Sequence, residues 1–308
     1  MIQQNIASYT ADTTVTESRS MLQTIKVYYT LTKPRILVML VFTSLCAAFV
    51  AQKGIPNIMT TLFMLIGLAL SSGGSAAFNM WYDRDIDAIM NRTSNRPIPA
   101  GLVEPRNALW FGITLGVLSV TVLAIFVNMM TALLSLAGFL YYAVVYTMWL
   151  KRSTPQNIVI GGGAGAMPVL IGWASVTGHV AIAPVLMFLI IFFWTPPHFW
   201  ALALYKNEDY TRAGIPMMPV VKGPRHTKRQ MVGYAWALLL LSCSLYFTGV
   251  VGWIYLLSAV ILGGIFLIYN YMVLREEDDQ FVWAKRTFFC SLIYLPVLFM
   301  FMVIDAVL

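Results

Sequence analysis

Charge is what this chain has least of. Of 308 residues only 11% are charged and 59% are hydrophobic, whereas soluble domains carry roughly a quarter charged residues. A water-soluble globular protein of this length is thereby excluded. Cysteine is almost missing: Cys46, Cys243 and Cys290 lie in apolar stretches without metal-ligand spacing and read as small packing residues. No cleavable signal peptide is visible, because the first 25 residues are polar, rich in Ser and Thr, and lack an apolar core. That segment is expected to be a mobile tail, with residues 1–30 polar and residues 31–308 forming a helical bundle. There is no soluble domain and no internal repeat. The glycine run Gly161–Gly165 follows no strand and precedes no P-loop lysine, so it is not a phosphate loop. Small residues near the start of a membrane helix favour close helix packing, the preferred reading, although they could also leave room for a ligand.

Long apolar runs are abundant. A bilayer-spanning helix needs about 20 apolar residues, and the chain supplies candidates at 34–52, 58–79, 107–127, 130–149, 157–175, 182–203, 231–250, 253–273 and 287–305. The expected fold is therefore all-α, a polytopic membrane protein with a bundle of about nine transmembrane helices. The second helix is expected to continue past its apolar part. Of the 20 Lys and Arg residues, 19 fall in alternate loops and only Lys53 lies on the other side. The positive-inside rule then puts the N-terminus and these loops in the cytoplasm and the C-terminus opposite. Twelve of the 13 acidic residues share that side, Asp305 being the exception. Chemistry is therefore expected in a cytoplasm-facing cavity. The net charge of +7 is mainly explained by orientation and calls for no nucleic acid.

One cluster stands out on that side. Asn79, Asp83 and Asp87 are spaced four apart, within an arc of about 80° on a helix. Two carboxylates at i, i+4 repel unless a cation joins them, and hard oxygen ligands with few protein contacts suit Mg²⁺ beside phosphate. Asp85 points about 200° from the centre of that arc and reads as solvated or locally paired. Arg92 and Arg96 follow on a loop stiffened by Pro97 and Pro99, and guanidinium forks match phosphate oxygens. Lys151 and Arg152 end the fourth helix, where headgroup anchoring is the plain alternative. His198 follows Pro196-Pro197 in the sixth span. Ionisable groups at that depth usually line a functional cavity. Its ring could ligate a metal or hydrogen-bond a buried acid group, or simply satisfy a carbonyl freed at the proline kink. His179 and His226 lie in loops and receive no role.

Asn79-x-x-x-Asp83-x-x-x-Asp87 followed by Arg92-Thr-x-x-Arg96-Pro97 resembles the first aspartate-rich motif of the UbiA-type intramembrane prenyltransferases. Further runs resemble the heme-modifying branch of that superfamily: Tyr146-Thr-Met-Trp-Leu-Lys151-Arg152, Gly161-Gly-Gly-Ala-Gly-Ala-Met-Pro168, Trp194-Thr-Pro-Pro-His198-Phe-Trp and Asp209-Tyr210-x-x-Ala-Gly214-Ile-Pro. The likeness runs from about residue 30 to the C-terminus. It implies transfer of farnesyl from farnesyl diphosphate to a vinyl group of protoheme IX, giving heme O in the bacterial inner membrane. Asp83, Asp87 and Asn79 would hold Mg²⁺. Arg92, Arg96, Lys151 and Arg152 would bind diphosphate, and His198 and Tyr146 would face heme. The superfamily usually carries a second Asp-x-x-x-Asp before a glycine. Anchored on Gly214, those positions are Tyr210 and Lys206, with Asp209 one place off. Lys206 could replace some of the missing metal charge, and Glu208 and Asp209 could bind metal through water or pair with basic neighbours. The implied partners are farnesyl diphosphate, protoheme IX, the lipid bilayer, and membrane proteins that deliver or accept heme. Two alternatives stay open: a prenyltransferase acting on a hydroxybenzoate or quinone precursor, and a heme transporter or carrier. The crowding of polar residues at one end argues against transport.

Overall fold

The computed structural model describes residues 20–308. Every regular element among them is helical, and nine helices are long and apolar enough to cross a membrane. The spans follow the predicted ones closely. A short helix α1 (Met21–Leu31) leads into α2 (Pro34–Gln52) and α3 (Ile58–Tyr82). The one-and-a-half-turn α4 (Arg84–Ile89) and a loop follow. Then come α5 (Pro105–Phe126), α6 (Met129–Leu140) with its π-helical extension Tyr141–Leu150, α7 (Asn157–Thr177) and α8 (Ile182–Tyr205). After the short α9 (Asn207–Arg212), the chain closes with α10 (Met218–Ser244), α11 (Trp253–Arg275) and α12 (Val282–Val307).

The helix ends follow local chemistry. Asn57 caps α3 by accepting from Thr60 N at 3.0 Å, and Asn128 caps α6 by accepting from Thr131 N at 2.9 Å. Inside the bundle, small residues let backbones approach. A Cβ on Gly74 of α3 would lie 2.6 Å from the Gly112 carbonyl oxygen of α5. A Cβ on Gly172 of α7 would collide with the Ser44 carbonyl of α2. The apolar core sits between α2, α7, α8, α10, α11 and α12, around Trp194, Tyr255, Phe266 and Phe299. Large apolar side chains such as Trp110, Ile125 and Leu257 stay exposed on the outer faces, as a lipid solvent requires.

Three expectations change. Residues 21–30, counted with the polar tail, belong to the helix Met21–Leu31, started by a Ser20–Gln23 capping box. Its Leu31 is fully buried, and Tyr28 meets Phe111 of α5 edge-on at 5.0 Å. The earlier part of the predicted tail lies outside the described residues. The second span is not one continuous helix through Asp87: Asp83 leaves helical geometry (φ −85, ψ 7) and divides α3 from α4. The bonds Asp83 N to Asn79 O (2.9 Å) and Asp87 N to Asp83 O (2.8 Å) nonetheless keep the three residues in step. The seventh span starts at Met218 rather than 231, with a break at Gly223 (φ 78) before Pro224.

Candidate active site

A cavity of about 480 Å³ opens between α2, α3, the π-helical extension of α6, α7 and α8. Its polar end carries Asn79, Asp87, Arg92, Arg96, Lys151 and Lys33. Its wall also carries Tyr142, Tyr146, Trp194, His198, Phe199 and Leu295.

The acidic face meets cations on all three of its groups. Asp87, 1% exposed, accepts from Arg96 Nη1 on both oxygens at 2.8 and 2.7 Å. Asp83, fully buried, accepts from Lys151 Nζ, from Asn79 Nδ2 at 2.6 Å and from Arg152 Nη2 at 3.5 Å. Asn79 Oδ1 accepts from Lys33 Nζ at 2.6 Å, and its Nδ2 also donates to Thr147 Oγ1 at 3.1 Å. The two carboxylates are thus relieved of mutual repulsion by side chains of the protein itself. Asp83 is not on the cavity wall; Lys151 covers it, while Asn79 and Asp87 front the opening.

Lys33 is one of the 19 basic residues in the alternate loops, a pattern that orientation alone explains. It sits at φ 51 immediately before Pro34, a strained conformation for a non-glycine residue. Its ammonium also reaches the Tyr142 hydroxyl at 3.3 Å. Burial first, then the charges of Arg96 and Lys151, push the Lys33 pKa well below its usual value. Burial likewise lowers that of Lys151, against the pull of Asp83. An anion placed among these ammonium and guanidinium groups relieves both effects.

Lys151 owes its position to the π-helix. On an α-helix, residues five apart point about 140° from each other. Here Lys151 N donates to Tyr146 O at 2.9 Å, and Thr147 Oγ1 to Tyr142 O at 2.8 Å, both spanning five residues. This widened turn brings Tyr142, Tyr146, Thr147 and Lys151 to one side. The two tyrosine rings stack at 5.4 Å. Gly161 of α7 leaves the space Tyr146 occupies, and Gly162 and Gly163 receive Thr195 and Tyr141. The packing reading of the glycine run holds for these three, while Gly165 lines the cavity with nothing within 4 Å of its missing Cβ.

Two predicted residues lie elsewhere. Arg152 binds Asp85 through two 2.7 Å bonds and covers the Tyr82 ring at 4.9 Å, outside the cavity lining. This contact holds the Asp85 carboxyl at about 2, below the usual range, so Asp85 is locally paired as expected. Lys206 is exposed at the end of α8 and is also absent from the lining. Its helix stops at Tyr205, leaving Lys206 at the C-cap. Tyr210 comes in instead: it is buried on the cavity wall beneath Arg92, whose Nη2 donates to its hydroxyl at 3.4 Å. Arg92 makes no ion pair among the described residues. Asp209 pairs with Arg212. No group of three or more His, Cys, Asp and Glu able to hold a metal occurs among the described residues.

His198, 7% exposed, lines the cavity. Its ring is stacked between Trp194 (4.3 Å) and Phe288 (4.8 Å). Its Nδ1 pairs with the Ser291 hydroxyl of α12 at 2.6 Å, not with a carbonyl released by the prolines.

A lipid-embedded helical bundle that gathers cations over a buried carboxylate face, at the mouth of an aromatic cavity, is an intramembrane transferase for a substrate with an anionic head and an apolar tail. The chain belongs to the UbiA prenyltransferase family, whose pattern matches residues 40–293. A protoheme IX farnesyltransferase of Symbiobacterium thermophilum is 53% identical over 283 residues, 92% of this chain and 95% of that protein. Solved structures share the fold. A digeranylgeranylglyceryl phosphate synthase superposes with a TM-score of 0.78 at 17% identity, covering 92% of this chain and 99% of its own. A UbiA homologue from Archaeoglobus fulgidus, bound to GPP and Mg²⁺, gives 0.63 at 17% identity over 90% and 99%.

Proposed function

We propose that this chain transfers the farnesyl group of farnesyl diphosphate to a vinyl group of protoheme IX, yielding heme O for terminal oxidases. The observation that carries the chemistry is the cluster of Lys33, Arg92, Arg96 and Lys151 in a cavity whose remaining wall is largely aromatic and aliphatic, interspersed with small hydroxyl residues such as Ser71, Ser75 and Thr195. The acceptor follows from the 53% identity to a protein named for farnesylating protoheme IX.

The donor set fits Mg²⁺. Asn79 Oδ1 and the two carboxylates are hard oxygens, and each faces a cation of the chain. Asn79, Asp83 and Asp87 would hold the ion, which supplies positive charge to the departing diphosphate when bound. The side chains do the rest. Lys33, Arg96 and Lys151 exchange their carboxylate and amide partners for diphosphate oxygens, and unpaired Arg92 closes on them from the mouth. As the C1–O bond of farnesyl diphosphate breaks, a bond forms from C1 to the terminal vinyl carbon. The cation left beside the porphyrin takes up water and releases a proton. The stacked Tyr142 and Tyr146 rings present π-faces on the cavity wall beside Lys151, and the apolar interior limits early quenching by water. His198 and Tyr146 face the heme.

The alternation of basic loops further supports a multi-pass protein of the bacterial inner membrane with this cavity open to the cytoplasm. The test of function combines purified protein, heme b, farnesyl diphosphate and Mg²⁺, with mass spectrometry of the heme. The wild type should yield hydroxyethylfarnesyl heme, and Asp83→Asn should lower turnover at least about a hundredfold while still inserting. Unmodified heme beside a prenylated hydroxybenzoate would overturn the acceptor; full activity of the variant would overturn the metal site.

A further inference from the structure

The hydroxyl of Ser291 makes two contacts that together decide which nitrogen of His198 carries its proton. Ser291 Oγ lies 2.5 Å from the Phe288 carbonyl oxygen one turn earlier in α12, and 2.6 Å from His198 Nδ1. A carbonyl oxygen only accepts, so the serine proton lies on the Phe288 side. The serine has no second proton to give. The short contact to the imidazole must then be carried by N–H on Nδ1. In a neutral ring this leaves Nε2 with its lone pair free.

Nothing else competes for that nitrogen. Nε2 makes no hydrogen bond among the described residues, and the His198 side chain lines the cavity. The ring plane is fixed by Trp194 on one face and Phe288 on the other, at interplanar angles of 16° and 22°. Trp194 is itself tied to α12 through Nε1 to the Ser291 carbonyl at 3.1 Å. Both helices therefore share one anchor point for a rigid imidazole edge.

The geometry points to Ser291 as a positioning residue that holds His198 in its Nδ1-protonated form, so that Nε2 ligates the iron of the heme substrate. The inference rests on the proposed heme reading of the cavity. A hydrogen bond on the distal nitrogen is how proteins orient an imidazole ligand and raise its basicity, and its loss typically lowers affinity for the metal centre about tenfold or more.

Titration of the purified protein with heme b, followed by absorption and by the iron–histidine stretching band of the ferrous complex, separates the two claims. Affinity for farnesyl diphosphate, measured in parallel, reports an intact bundle. Ser291→Ala keeps the Trp194 bond, which goes to backbone. It should weaken heme binding about tenfold, shift the stretching band to lower frequency and leave diphosphate affinity unchanged. Ser291→Thr should restore band and affinity. His198→Ala should abolish the band. If His198→Ala loses the band while Ser291→Ala leaves band and affinity at wild-type values, the positioning role is wrong. If His198→Ala leaves heme binding and spectrum unaltered, the heme reading of this wall falls, whatever Ser291 does.

Discussion

Lys33 takes a left-handed backbone (φ 51) directly ahead of Pro34, where the proline ring already restricts the preceding residue. For a residue with a Cβ that conformation costs about 1–2 kcal/mol, and here it turns the ammonium inward onto Asn79 and Tyr142. Lys33→Met should therefore act on substrate binding. Losing a charge-assisted contact worth ~1.5–3 kcal/mol should raise KM for farnesyl diphosphate at least about tenfold, read from initial rates at varied diphosphate. An unchanged KM would place the lysine outside the donor site. Backbone bonds keep Asn79, Asp83 and Asp87 in step, and the spacing of the three was legible in the sequence. Lys33 was not, since its role depends on one dihedral angle that no composition or period encodes. Arg152 and Lys206 suit a diphosphate by residue type, but Arg152 is paired with Asp85, Lys206 follows the end of α8 at Tyr205, and neither lines the cavity.

At the scale of elements, periodicity located the nine spans to within a few residues, except where the polar start of α10 extends the seventh beyond its apolar part. What periodicity could not show was the change of period itself. Tyr146 and Lys151 share a side only through five-residue bonds, a register that no α-helical wheel displays. The neighbouring α7 supplies the matching relief. A Cβ at Gly161 would collide with the Tyr146 ring, whereas one at Gly165 meets nothing. Gly161→Ala should thus cost about 1–3 kcal/mol through overpacking and lower kcat as Tyr146 is displaced. Gly165→Ala should stabilise by up to about 1 kcal/mol from helix propensity while narrowing the cavity. Thermal unfolding in detergent should rank Gly165→Ala at or above wild type and Gly161→Ala below it; the reverse order would refute this packing.

On the scale of the whole molecule, charge does two separate jobs. Lys228, fully buried in α10, donates to the Glu276 and Glu277 carbonyls at 2.9 and 2.8 Å, fastening α10 to the turn between α11 and α12. Lys228→Met would strand two acceptors at about 1–3 kcal/mol for each buried one, visible as a lower unfolding temperature with farnesyl diphosphate KM unchanged.

We propose that the exposed basic residues orient the bundle. Site residues from the start of α2, the end of α3, the end of the π-helix and the region after α8 meet around one cavity mouth, so those connections share one end of the bundle. The same connections hold most of the basic residues, and only Lys53 of all 20 lies in the other set. An odd number of spans then puts the C-terminus opposite the site. Alkaline phosphatase, active only outside the cytoplasm, should be active when fused after Leu308 or inserted between Gly54 and Asn57. It should be silent in the 91–104 and 151–156 loops. Activity in the 91–104 loop would invert the topology, and with it the side from which farnesyl diphosphate reaches Arg92 and Arg96.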